Sequence, residues 1–172
     1  RKMRDTARAI LDLEKQVAAL PNNIPAAIQL ARAYAQAQRF EAFDALVDRL
    51  IRSPDLPQPE YLVLINFYGQ LNRADRVLAL LAEFTRRYPD YGPGWYQYAC
   101  ILSLRGNCLD GLAALSRAMQ LDGVDRQLHQ AAAQDQRLAN CRNSPQFPAI
   151  LNQGGAAPAP AAGGGLPFQL NP

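Results

Sequence analysis

The segment GPGWYQYACILSLRGNCLDGLAALSRAMQLDGV, residues 92–124, shows the folding pattern of this chain most plainly. Its apolar and small residues recur at helical spacing, with Tyr98 and Leu102 in the first half and Gly111, Leu115 and Ala118 in the second. Gly106-Asn107 interrupts the two halves, and Gly123 closes the segment. Such a stretch reads as two short antiparallel helices, A and B, joined by a tight turn.

The same pattern returns at an offset of 34 residues, in 58–90 and again in 24–56. Leu30, Leu64 and Tyr98 share one phase, and Tyr34, Tyr68 and Leu102 another. The neighbouring small site holds Ala31, Ile65 and Ala99. In the B halves the matching sets are Phe43, Val77, Gly111; Val47, Leu81, Leu115; and Leu50, Phe84, Ala118. Breakers at Pro54, Pro89 and Gly123 end the units, and turns fall at residues 37–39, 72–73 and 106–107. Stepping back from the first unit, Ala9, Leu13, Val17 and Leu20 match a B helix, so residues 5–21 read as half of an earlier unit. Residues 125–139 supply a capping helix with Leu128, Ala131, Ala132 and Leu138 as its apolar stripe, because the last unit would otherwise expose a hydrophobic side.

This register resembles the tetratricopeptide repeat (TPR). The third unit carries the resemblance best, in Trp95, Tyr98-Ala99, Leu102, Gly106, Gly111, Leu115 and Ala118, and the second carries it in Tyr61, Leu64, Tyr68, Val77, Leu81, Phe84 and Pro89. The first departs at Ala27, where the family opens on an aromatic residue, and at Phe43, where the family prefers alanine and a ring should push A and B apart. The resemblance implies an all-α chain, a right-handed α-α superhelical solenoid of TPR helix pairs. It implies a TPR domain over residues 1–142, and the uncharged Gly-, Ala- and Pro-rich composition beyond it reads as an irregular tail over 143–172. It also implies that the A helices line a concave groove that holds a segment of a protein partner. The groove positions are Arg32 and Gln36 in the first unit, Asn66 and Gln70 in the second, and Tyr96 and Gln97, with Cys100 and Ser103 beyond them, in the third. Family members that grip acidic C-terminal tails use a clamp of Lys, Arg and Asn; here only Arg32 and Asn66 match it. The groove therefore suits an uncharged or weakly acidic segment held by amide hydrogen bonds and stacking.

Composition agrees with helices. Of 172 residues 29 are alanine, which favours close helix packing over a bulky β core. The net charge of +3 lies in Arg1, Lys2 and Arg4; the rest of the chain balances 15 basic against 15 acidic side chains. Without a one-signed stripe, a nucleic-acid partner is not expected. The second unit has a local basic patch, Arg73, Arg76, Arg86 and Arg87 against Asp75 and Glu83, which could meet an acidic partner or a membrane-associated complex. No stretch offers about 18 consecutive apolar residues, the length of a membrane span.

Chemistry is sparse. His129 is the only histidine and reads as a surface helix residue. Gly163-Gly164-Gly165 follows no strand and is no phosphate cradle. No catalytic residue, cofactor, metal or small-molecule substrate is therefore expected. The cysteines are more informative. Cys108 opens the last B helix and Cys141 follows the capping helix, which returns antiparallel beside it. A Cys108–Cys141 disulfide would close a loop of about 33 residues and contribute about 2–4 kcal/mol. It needs a Cα–Cα distance below about 7 Å; the alternative is free thiols in a reducing compartment. The uncharged tail from 143 is rich in Gly, Ala and Pro and ends in Leu166, Phe168 and Leu170, apolar anchors for docking on a partner or on the groove.

Two functional expectations follow. The first is a non-catalytic protein–protein interaction scaffold, an adaptor or assembly subunit. The second is the C-terminal TPR region of a larger bacterial membrane protein, because the half unit at the start and the Ala/Gln-rich A helices resemble repeat tails of bacterial multi-pass glycosyltransferase-like proteins. The basic cluster at Arg1-Lys2-Arg4 would place such a region in the cytoplasm, whereas a disulfide would place it outside; the balance leans slightly to the extracytoplasmic side.

Overall fold

The computed structural model describes residues 1–154, and all regular structure among them is helical. Helix α1 (Lys2–Ala19) is followed by three pairs: α2 (Ile24–Gln36) with α3 (Phe40–Arg52), α4 (Gln58–Gln70) with α5 (Ala74–Arg87), and α6 (Gly92–Leu104) with α7 (Cys108–Leu121). Then come α8 (Gln127–Gln134), a 3₁₀ segment (Gln136–Cys141) and α9 (Phe147–Leu151). The first helices of the pairs begin at 24, 58 and 92 and the second at 40, 74 and 108, so the backbone repeats with the 34-residue step of the sequence.

The turns inside the pairs share one geometry. Gln38, Asn72 and Gly106 sit at the same phase with φ of 59°, 57° and 78°, in the left-handed region. In each turn the next N–H reaches back five residues: Arg39 to the Tyr34 carbonyl at 2.9 Å, Arg73 to Tyr68 at 3.0 Å, and Asn107 to Leu102 at 2.9 Å. A second bond joins Gln38 to Ala35, Asn72 to Gly69 and Gly106 to Ser103. These are Schellman closures, which satisfy the last carbonyls of a helix by turning one residue left-handed. At the starts, Asn23 Oδ1 accepts from Ala26 N–H and Asn107 Oδ1 from Asp110 N–H, both at 3.2 Å. Pro25 and Pro93 occupy first turns, where a missing N–H is harmless.

The chain forms two compact units, Arg1–Phe67 and the chain from Tyr68 onward, with the division inside α4. In the first unit Ile10 and Val17 of α1 are buried, as are Leu30, Ala26, Ala27 and Ala31 of α2, and the alanines permit close helix approach. Tyr34 Oη donates to Glu14 Oε2 at 2.6 Å, linking α2 to α1; burial first, then the Glu14 carboxylate, pushes the Tyr34 phenol up to about 12. Phe43 is fully buried, with its ring centroid 6.3 Å from that of Phe67.

In the second unit Phe84 packs against Tyr88 and Tyr91, at centroid distances of 4.9 and 5.9 Å. Trp95 Nε1 donates to the Pro89 carbonyl at 2.8 Å, tying α6 to the end of the preceding pair. Ala99, Leu102, Leu115, Ala118 and Met119 form the α6–α7 core, which Leu128, Ala132, Leu138, Phe147 and Ile150 extend. The irregular tail expected from residue 143 begins later: residues 143–154 belong to this unit, and Phe147 and Ile150 are buried. The expected single capping helix over 125–139 is also corrected: it starts at Gln127, stops at Gln134, and continues as the 3₁₀ segment after an extended Asp135.

Because a Cβ at Gly106 would meet nothing within 4 Å, the cost of Gly106→Ala is the left-handed backbone alone. We expect a loss of about 1 kcal/mol, read as a lowered urea midpoint. Gln38→Gly removes the same penalty and should raise the midpoint. A lowered midpoint for both would assign stabilisation to the Gln38 side chain instead.

Candidate functional site

Residues 96, 97, 100 and 103 share the inner face of α6, and the expectation is that Tyr96 and Gln97 line an open groove. The structure corrects this: Tyr96, Gln97, Cys100 and Ser103 are all 0 % exposed. The cover is the chain's own 3₁₀ segment. Asp135 ends α8 with an extended backbone, and its Oδ1 accepts from Arg137 N–H at 3.0 Å, which nucleates the 3₁₀ turn. The turn is thereby laid across α6.

A dense polar network results. Tyr96 Oη donates to Asp135 Oδ2 at 2.7 Å, and the Cys100 thiol lies 3.7 Å from the same oxygen. The Arg137 guanidinium meets Asp135 through Nη2 at 2.7 Å and Nε at 3.0 Å, while its Nη1 donates to Gln97 Oε1 at 2.9 Å. Asn140 Nδ2 donates to the Ser103 carbonyl at 2.9 Å. Arg142 braces the segment from outside, donating to the Ala133 and Asp135 carbonyls and covering the Phe147 ring. Burial works to raise the Asp135 carboxyl, but hydrogen bonds from Arg137 and Tyr96 and the guanidinium charge outweigh it and bring it down to about 2. Burial likewise disfavours the Arg137 cation, and the Asp135 carboxylate more than restores it. Burial drives the Tyr96 phenol upward, with Cys100 and Asp135 adding to it. Burial also pushes the Cys100 thiol up to about 12, against the lowering pull of Arg137. A thiol so placed is protonated at neutral pH and a poor nucleophile.

Next to this network Cys108 and Cys141 are joined in a disulfide, with Cα atoms 5.4 Å apart and 33 residues between them in sequence. It ties the end of the 3₁₀ segment to the start of α7, and it leaves Cys100 as the one free cysteine.

His129 is not a surface residue, which corrects the expectation: it is 6 % exposed. Asp122 Oδ2 accepts from both His129 N–H at 2.9 Å and the ring Nδ1 at 2.6 Å, while Nε2 contacts the Gln153 carbonyl. Ser116 Oγ bonds the Gln153 side chain at 2.7 Å. A general base turns Nε2 towards substrate; here that nitrogen is spent on the returning chain, so the Asp122–His129 pair works as a pin for the segment after α9.

The remaining groove positions have different surroundings. In the compact unit Arg1–Phe67, Arg32 and Gln36 of α2 are exposed and Asn66 of α4 is half-buried; the Arg32 guanidinium lies 5.5 Å from the Phe67 ring centroid. Gln36 borders a cleft of about 430 Å³ beside Lys2, Met3 and Arg39. In the second unit Gln70 is exposed at the end of α4. The basic patch is partly engaged, with Arg73 and Arg76 at 5.2 and 5.0 Å from the Tyr68 ring centroid and Arg86 paired with Glu83. Leu166, Phe168 and Leu170 lie outside the described residues. Among the described residues no helix is long and apolar enough to cross a membrane, and no cluster of three or more His, Cys, Asp or Glu residues could hold a metal ion.

Asp135, Arg137 and Asn140 were invisible as site residues in the sequence. The available signal was the Asp-x-Arg spacing immediately after a short helix, since an Asp two residues before a free N–H is a turn former.

These helix pairs, their common turn and their period define a TPR-like helical repeat fold. Among solved structures, MamA from AMB-1, a TPR-containing protein in a P2₁2₁2₁ crystal, matches with a TM-score of 0.52. It is 20% identical, and the match covers 88% of this chain and 90% of that one. No protein-family profile and no curated protein matches the chain.

The Asp135 contribution has a defined pH window. With the folded carboxyl at about 2 and the ordinary value at 3.8, its stabilisation is present above about pH 4 and is lost as the pH falls through 2. Asp135→Asn should therefore lower stability by about 2 kcal/mol at neutral pH, and urea titrations should show the gap to wild type closing between pH 4 and 2. A gap independent of pH would mean the carboxylate charge is not what holds the turn. Under denaturing, non-reducing conditions a thiol assay should count one thiol per chain, from Cys100; three would mean that Cys108 and Cys141 are not bonded.

Proposed function

We propose that this chain is a non-catalytic protein–protein interaction scaffold, an adaptor or assembly subunit, that receives a partner segment on the inner face of its first repeat. The observation that carries this reading is the uncovered state of α2. Arg32 and Gln36 stand exposed there, Asn66 of α4 is half-open, and Arg32 is held over the Phe67 ring of α4. A guanidinium supported on an aromatic face and an amide are donors suited to the backbone carbonyls or a carboxylate of an extended peptide. Tyr96 and Gln97 do not take part in this state, because the chain's own turn covers them. The TPR-like fold supports protein partners in general, and nucleic-acid, small-molecule and membrane roles are not part of this reading. The Cys108–Cys141 bond favours an oxidising, extracytoplasmic compartment.

The test is retention of a partner by immobilised chain. Wild type and the Arg32→Ala/Asn66→Ala double variant are compared on the same extract, with the captured proteins quantified by mass spectrometry. Both positions are at least partly open, so the variant should fold normally by circular dichroism. A partner held on this face should be lost at least tenfold, and unchanged retention of every captured protein would reject the α2 face.

A further inference from the structure

The segment that covers α6 has the properties of a bound ligand as well as those of a cap. Three polar groups on that face are each answered by a specific side chain. Asp135 takes the Tyr96 hydroxyl, Arg137 takes the Gln97 amide oxygen, and Asn140 takes the Ser103 carbonyl. Leu138, between them, is 2 % exposed and anchored in the core. The face therefore reads an acid, a base two residues on, an apolar residue, and an amide two residues further. The fit is incomplete: Ser103 Oγ is buried on the same face with no hydrogen-bond partner. A buried hydroxyl left unpaired costs stability and weakens the chain's own hold on this face.

We propose that the inner face of α6 is a second peptide-binding site, selective for a turn of the form Asp-x-Arg-Leu, which this chain fills with its own residues 135–138 and keeps closed through Cys108–Cys141. The proposal deepens the scaffold reading and rests on it, because it names the partner chemistry of a second face. The disulfide matters because of where the other restraints lie. Arg142 donates to the carbonyls of Ala133 and Asp135, that is, to the covering chain itself, and lies over the Phe147 ring. Leu138 and Asn140 hold the segment directly and the buried residues of α8 and α9 hold it from either side, and the Cys141 sulfur is its covalent cross-link to the α6–α7 pair. A dithiol reductant opens the S–S bond, delivering two electrons and two protons to give the Cys108 and Cys141 thiols while it closes to its own disulfide. Of the polar contacts that then remain, those of Asp135 and Arg137 are reproduced by a second Asp-x-Arg-Leu segment and that of Asn140 by an amide two residues further on, so exchange in trans becomes a question of concentration.

Cys100, under the turn, is a built-in reporter. It is the only thiol both in oxidised wild type and in the full-length Cys108→Ser/Cys141→Ser variant. Its alkylation by a maleimide should be at least tenfold faster in the variant, with little dependence on low urea, as for a local opening. Equal rates, or a rate that climbs with urea as global unfolding does, would overturn the closure. A fluorescein-labelled peptide with the sequence of residues 134–143, serine replacing Cys141, should bind the variant and dithiothreitol-reduced wild type in anisotropy titrations, and bind oxidised wild type at least tenfold more weakly. The same peptide with alanine at the positions of Asp135 and Arg137 should lose that binding. Absence of binding to both opened forms, or equal binding of the alanine peptide, would overturn the site. Partner capture through Arg32 and Asn66 is measured on oxidised wild type, so the scaffold reading stands or falls separately.

Discussion

The Asp135–Arg137 ion pair cannot exist in the interior unless its remaining polar atoms are met, and α6 meets them with Tyr96 and Gln97. Removing two charges from water is costly, and their mutual attraction offsets this only when further hydrogen bonds complete the shell. That requirement positions the 3₁₀ segment on α6, and the segment in turn brings Cys141 within bonding range of Cys108 and Leu138 into the core. The chain then continues to α9, whose Phe147 and Ile150 enlarge the same core. The end of the second unit is thus organised from a polar contact outward, with apolar burial added to it.

The two A-helix faces illustrate how one repeat register supports different surfaces. Positions 32 and 36 in α2 remain open, and Arg32 rests its planar cation on a ring without losing contact with water. Positions 97 and 100 in α6 are sealed. Repetition of the backbone secures the helix pairs; the α6 face is closed to binding because a later stretch of the chain folds back over it.

A similar division holds for the histidine. His129 lies on α8 among alanines and glutamines, and nothing local marks it as buried. Its environment arises because Asp122 caps back onto it and because Gln153 returns after α9. Gln153 lies 24 residues on, and the break between α7 and α8 takes the nearer Asp122 off the helix that carries His129. The same holds for the first unit's Tyr34, which finds Glu14 across the α1–α2 contact.

The helix pairs were legible from residues alone, since helical spacing, asparagine caps and a left-handed turn at 38, 72 and 106 are set by neighbours within about five residues. Cys108 and Cys141 could be paired as a possibility from helix direction, although free thiols fitted the letters equally well. The cover over Tyr96 and Gln97 could not be read, because residues 125–139 carry a continuous apolar stripe compatible with an unbroken helix. What breaks it at Asp135 is a set of hydrogen bonds to residues 39 and 40 positions earlier, at Tyr96 and Gln97. Short-range preferences write themselves into sequence period, whereas a long-range polar contact leaves only two letters, and their meaning depends on the surface they meet.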